Sequence, residues 1–164
     1  FLGVLSLFEV PDLDFDTSFV RIKGGQSASS NYFYADKATI RTMPPEKSFV
    51  LPDVIESFTI SDSVIKGVMQ AANVLQLPEI AIIGDSDNIT IEAINNKNST
   101  SNSFHYKIGK TSKSFKMIFK VENIKMMLGS YEVSISSKKI TQFKSTDNNL
   151  TYTIVNEAAS VYEG

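Results

Sequence analysis

The sequence predicts an α+β fold made by internal duplication, and three observations carry that prediction. Strands of alternating polarity recur along residues 53–155. One long amphipathic helix interrupts them after residue 60 and a second, shorter helical pattern does so after residue 121. The order strand, helix, three strands therefore occurs twice, and its strand-to-helix junctions, Ile60 and Val121, lie 61 residues apart. A fixed spacing between like units is the mark of a repeat.

The first repeat opens with DVIESFTI (53–60), which alternates as a half-buried strand does. Ser61 or Ser63 stands where a helix cap belongs, and the helix runs to about Gln76. Val64, Ile65, Val68, Met69, Ala72 and Leu75 form one stripe at i, i+3, i+4 spacing, which leaves Lys66, Gln70 and Asn73 on the opposite face. Pro78 ends the helix. IAII (80–83), a turn at GDSDN (84–88) and ITIEAI (89–94) read as a hairpin, followed by FHYKI (104–108).

The second repeat has SFKMIFKV as its strand, ENIKMML (122–128) as a short helix, and YEVSIS, KITQFK and LTYTIV as three strands. Two helical turns are too few to be stable alone in water. The stub is therefore expected to dock Val121, Ile124 and Leu128 on a sheet, with Gly129 stopping it.

The first 52 residues are less regular. FLGVLSLF (1–8) lacks a cap ahead of its apolar run and reads as the tail of a helix, so the chain is expected to be a fragment of a longer protein. FVRIKGG (19–25) and SSNYFYA (29–35) read as strands. The segment 42–52, TMPPEKSFVLP, carries three prolines and no trusted period; it reads as an extended connector between a partial unit, 1–41, and a complete one, 53–164.

Composition bounds the function classes. With 164 residues, 42% hydrophobic and 21% charged, the chain has the make-up of a globular protein. No cysteine is present, which excludes a disulfide framework and favours an intracellular setting. No apolar run reaches the ~20 residues of a membrane helix, and residues 1–8 lack a basic leader, so no membrane or secretory role is expected. Charge is uneven: residues 1–96 hold 6 basic and 13 acidic side chains, residues 97–164 hold 10 basic and 5 acidic. That asymmetry hints at an anionic partner on one face.

Motifs for catalysis and cofactors fail one by one. GKTSKS (109–114) imitates the end of a phosphate loop, but Phe104 stands where the motif needs its first Gly, so a basic hairpin turn is the better reading. The two carboxylates of GDSDN lack the further ligands of a calcium loop and suit a turn. His105 is the only histidine and has no partner of its kind for a metal site or triad. Asn-x-Ser/Thr triplets at Asn88, Asn98 and Asn149 carry no weight without a secretory signal. No catalytic residue, metal ligand or cofactor site is expected. What remains is architecture: helices with one apolar and one partly lysine-bearing face, backed by sheets.

Here the residues resemble a known family. FLGVLSLF, the connector ending FVLP, VLQLPEIAI, KVENIKMMLGSYEVSI and the strand ending TIVNEA are similar, in order along most of the chain, to the DNA polymerase sliding clamps of T4-type bacteriophages; the strongest run is Phe115 to Ile135. The resemblance implies a PCNA-like ring with sheets outside and short helices lining a hole, trimeric when full-length, acting as a processivity factor. It encircles duplex DNA without sequence specificity and tethers the replicative polymerase in the cytoplasm of the infected bacterial host. It implies DNA-facing roles for Lys66, Gln70, Asn73, Lys120, Asn123 and Lys125, although only Lys66 of the first three is charged, whereas the family favours basic residues there. It implies a pocket for C-terminal peptides of the polymerase and clamp loader at Phe49, Val50, Leu51, Tyr152 and Val155. Subunit contacts would use the edges 31–34 and 104–108, with Tyr32, Phe33, Phe104 and Tyr106. The competing reading is a non-enzymatic β-rich structural or interaction module, such as a virion or adhesion domain; a helix at matched positions in each repeat speaks against it.

Overall fold

The computed structural model describes residues 1–5, 7–25, 27–39 and 49–163, and the chain divides into two units, Phe1–Ser48 and Phe49–Gly164. Of the proposed connector 42–52, only 49–52 lie within the described residues.

The first unit has a short helix α1 (Leu2–Leu5) and an antiparallel meander of β1 (Asp12–Phe15), β2 (Phe19–Gly24) and β3 (Ala28–Phe33). Val20 and Ile22 are its buried centre. Gly24 is obligatory there, because a Cβ would run into the Phe8 ring. The helix tail read over residues 1–8 is a single turn. Strand β1 was not foreseen, since Asp12, Asp14 and Asp16 hide the alternation of DLDFD among turn-forming residues.

The second unit contains β4 (Val54–Ile60), α2 (Asp62–Val74), β5 (Glu79–Asp85), β6 (Asn88–Ile94), β7 (Phe104–Lys110), β8 (Ser114–Lys120), β9 (Tyr131–Ser136), β10 (Ile140–Ser145), β11 (Thr151–Val155) and β12 (Val161–Glu163). Its strands form two antiparallel sheets, ordered β11-β10-β9-β4 and β12-β8-β5-β6-β7. Each repeat lends its opening strand to the other: β4 pairs with β9, bringing Ile60 opposite Tyr131, and β8 pairs with β5, bringing Lys120 opposite Glu79. The repeats are thus interlocked, and neither completes a sheet alone.

Helix α2 packs across β5, β6 and β7, burying Ile65, Val68 and Ala72. Its contact with β7 is close enough that a Cβ on Gly67 would collide with the Tyr106 hydroxyl. The helix ends in a left-handed residue, Gln76 (φ 52°), with Leu77 N–H donating to Ala72 C=O at 2.8 Å and Gln76 N–H to Asn73 C=O at 3.3 Å. Facing it, Ile60, Ile80, Ile82, Phe119, Tyr131, Val133 and Phe143 fill one core drawn from both sheets.

The second helix of the duplication does not form. Only a 3-10 turn, Val121–Asn123, stands there. Ile124 follows with φ −87° and ψ 69°, which is not helical, so the side chains alternate instead of repeating every turn. Ile124 and Met126 pack on the core, while Leu128, expected to dock, is 66% exposed. The span between β8 and β9 (121–130) is shorter than that between β4 and β5 (61–78), and it crosses the core extended. Strand β12 also went unforeseen; three residues are too few to show a period.

The two turns that imitate ligand loops prove to be a joint. Asp85 accepts N–H bonds from Asp87 (3.0 Å) and Asn88 (2.6 Å), and those bonds hold its carboxyl below the usual value of 3.8. The β7–β8 turn pairs Lys110 with Asp87 at 2.8 Å and reaches across to β4, where Thr111 donates to the Glu56 carboxylate and Lys113 to the Ile55 carbonyl. The edge of β4 is thereby clasped at its bulge, between Val54 and Glu56.

Candidate nucleic-acid interface

Amphipathic spacing on α2 turns Lys66, Gln70 and Asn73 to solvent, opposite the buried stripe. At the end of β8 and just beyond it, Lys120, Asn123 and Lys125 are exposed as well. Ile65, Val68 and Met69 of α2 line the same apolar cavity as Ile124 and Met126, so the two segments border one core. Each segment turns its polar residues away from that core. Lys120 also meets Lys97 across an open cleft, which Glu79 and Glu122 balance. Lys97 lies in the β6–β7 loop and was missed, since loop residues carry no period to reveal their neighbours.

The described lysines differ in their engagement. Among the described residues, Lys110, Lys138 and Lys144 form ion pairs with Asp87, Asp53 and Glu132, and Lys116 and Lys139 donate to Asn96 and to the Ala158 carbonyl. The side chains of Lys66, Lys120 and Lys125, like those of Lys97 and Lys107, form no ion pair or hydrogen bond among the described residues. A free ammonium on a flexible stem can meet a phosphate without first giving up a bond.

The peptide-pocket residues are divided by strand geometry. Phe49 and Val50 are exposed, and Leu51 is half-buried. On β11, Tyr152 turns inward, its ring edge-on to Tyr131 at 6.0 Å, whereas Val155, three residues on, points outward and is 69% exposed. Tyr152 and Val155 therefore cannot line one pocket face. In place of Tyr152, the register sets Val54, Ile140 and Val155 in one row on the outer side of the sheet, through Val54↔Ser136, Ser136↔Ile140 and Ile140↔Val155. Val54 and Ile140 escaped the sequence reading because only pairing across strands brings them beside Val155.

The interface candidates do lie on sheet edges: β3 bounds its meander and β7 bounds the five-stranded sheet. Tyr32 meets Phe1 edge-on and Phe33 meets Phe19 at a tilt, each at 5.4 Å, and Phe33 remains exposed. Phe104 and Tyr106 instead face inward on the side of α2, half-buried and edge-on to each other at 5.2 Å. The alternation of β7 leaves His105 and Lys107 outside.

No family model matches the chain. It is 26% identical over 163 residues to the sliding clamp of Vibrio phage KVP40, covering 96% of this chain and 73% of that protein. Among solved structures, the H. pylori beta clamp aligns over 96% of this chain in its complexes with diflunisal and with 5-chloroisatin, at TM-scores of 0.51 and 0.52 and identities of 13% and 12%. This chain spans 45% and 46% of those two chains. The chain has the sliding-clamp fold, and its likeness to a phage sliding clamp runs through nearly its whole length; the adhesion-type alternative is not favoured.

Proposed function

We propose that the chain serves as a DNA polymerase processivity clamp, part of a ring that encircles duplex DNA and tethers the replicative polymerase in the cytoplasm of the infected bacterial host. The observation that carries this reading is a set of exposed lysines, Lys66, Lys120 and Lys125, without an ion pair among the described residues, on segments that border one core of an interlocked clamp unit. A ring retains DNA by topology and needs no tight site. A few lysines meeting phosphate oxygens give an attraction that is salt-dependent and blind to sequence. The formal net charge of −2 keeps the remaining surface from holding DNA outside the hole. The role is that of a scaffold, with binding and no catalysis. Subunits associate as a homotrimer through the edges bearing Tyr32 and Phe33 and bearing Phe104 and Tyr106.

The test is ring behaviour of the full-length protein. It should sediment at three times the protomer mass and, once loaded, stay on a nicked circle and leave when that circle is cut. A protein that stays bound to the linear product, or that remains monomeric at micromolar concentration, refutes the reading.

Polymerase and clamp-loader C-terminal peptides are assigned to the outer apolar surface of Phe49, Val50, Leu51 and Val155, extended by Val54 and Ile140. Each buried anchor there contributes about 1.5–3 kcal/mol. Leu51→Asp should leave the fold intact and weaken polymerase-peptide binding at least tenfold in a titration; unchanged affinity would place the pocket elsewhere.

A further inference from the structure

Residues 124–130 occupy the place of a helix without helical hydrogen bonds, so something else must hold them. Both backbone groups of Met127 are gripped by tyrosine hydroxyls: Tyr131 donates to its carbonyl at 2.5 Å, and Tyr152 accepts from its N–H at 3.3 Å. The hydroxyls are placed by the core itself. Tyr131 is 1% exposed, and its ring meets Phe143 at 6.4 Å and Tyr152 at 6.0 Å, both edge-on. Burial pushes the Tyr131 hydroxyl's pKa up, with smaller contributions from Tyr152 and Asp62, so it stays a donor. The far end of the segment is tied at Ser130, whose hydroxyl accepts Asp62 N–H at 3.2 Å and whose carbonyl accepts Thr146 N–H at 3.0 Å. Ile124 and Met126 point inward on either side of Lys125, which points out.

We propose that Tyr131 and Tyr152 are positioning residues that strap segment 124–130 to the core and so hold Lys125 in its outward place. The DNA half of this inference rests on the DNA-facing role given to Lys125; the strap itself does not. A helix would fix Lys125 by its own hydrogen bonds. Here that task passes to two side chains of the four-stranded sheet, and Tyr152 acts inward as an anchor rather than outward as a pocket wall.

Tyr152→Phe keeps the ring and removes the acceptor of Met127 N–H. In the full-length protein, amide exchange followed by NMR should quicken about three- to tenfold at Met127 while α2 amides are unchanged. Tyr131→Phe, which frees the Met127 carbonyl and removes the hydroxyl that also bonds Tyr152, should loosen the same segment and leave α2 alone. Unchanged exchange at Met127 in Tyr152→Phe, or acceleration shared equally by α2, overturns the strap. For the DNA half, Lys125→Ala should lower the slope of log K against log salt by about one unit in the wild-type background, and by less than half of that in Tyr152→Phe. Equal losses in both backgrounds overturn the positioning role. No loss in either overturns the DNA-facing reading of Lys125 and the part of the proposal built on it, and exchange at Met127 then decides the strap by itself.

Discussion

Reversing Lys66, Lys120 and Lys125 to Glu together is expected to abolish processive synthesis at moderate salt while the protein still folds. All three are exposed and without an ion pair among the described residues, and changes at such positions move stability by only a few tenths of a kcal/mol. Each lost phosphate contact removes about one unit from the salt-dependence slope, and each reversal adds a repulsion as well, so the three together turn a weak attraction into a barrier. Lowering salt cannot rescue the variant, because screening is what softens the repulsion. The matching control reverses Lys138, Lys139 and Lys144. Lys138 and Lys144 pair with Asp53 and Glu132 at the surface, where such pairs are worth about 0–1 kcal/mol, so this control should load and support synthesis nearly as wild type does. Normal processivity in the first triple variant together with loss in the control would place DNA on the other side of the molecule.

Phe119→Ala should be among the most damaging single changes to the fold, costing about 3–5 kcal/mol. Phe119 is 1% exposed on β8, meets Phe143 edge-on at 5.9 Å, and lines the cavity beneath α2 with Ile60, Ile80 and Met126. It belongs to the second repeat by sequence yet lies in the sheet of the first, so its loss loosens the joint between the repeats. The cost should also exceed the side chain's transfer energy, because the packed neighbours relax only partly into the space the ring leaves. Urea unfolding followed by circular dichroism reads the change directly. A loss below about 1 kcal/mol would mean that Phe119 does not knit the two sheets.

Residue pattern alone settled the alternating strands of the second unit and the helix after Ile60 with its buried stripe and its lysine-bearing face; of the duplication it settled the strands and not the second helix. Those features are local: a period of two or of 3.6 is written in successive residues, and the left-handed Gln76 followed by Pro78 ends the helix within its own turn. The same locality explains what was misread. ENIKMML has a helical period, but a stretch that short takes its conformation from what it must cover, and the extended path buries Ile124 and Met126 over the core while freeing Leu128. Likewise, nothing local separates Tyr152 from Val155; only the pleat of β11 against β10 sends one inward and the other out. The exchange of β4 and β8 between the repeats, the row of Val54, Ile140 and Val155, and the cleft lined by both Lys97 and Lys120 bring together residues distant in the chain. The sequence determined the elements and their faces, because those follow from neighbours along the backbone. The tertiary structure decided which faces meet, because burying both apolar stripes in one core is a condition on the whole chain at once.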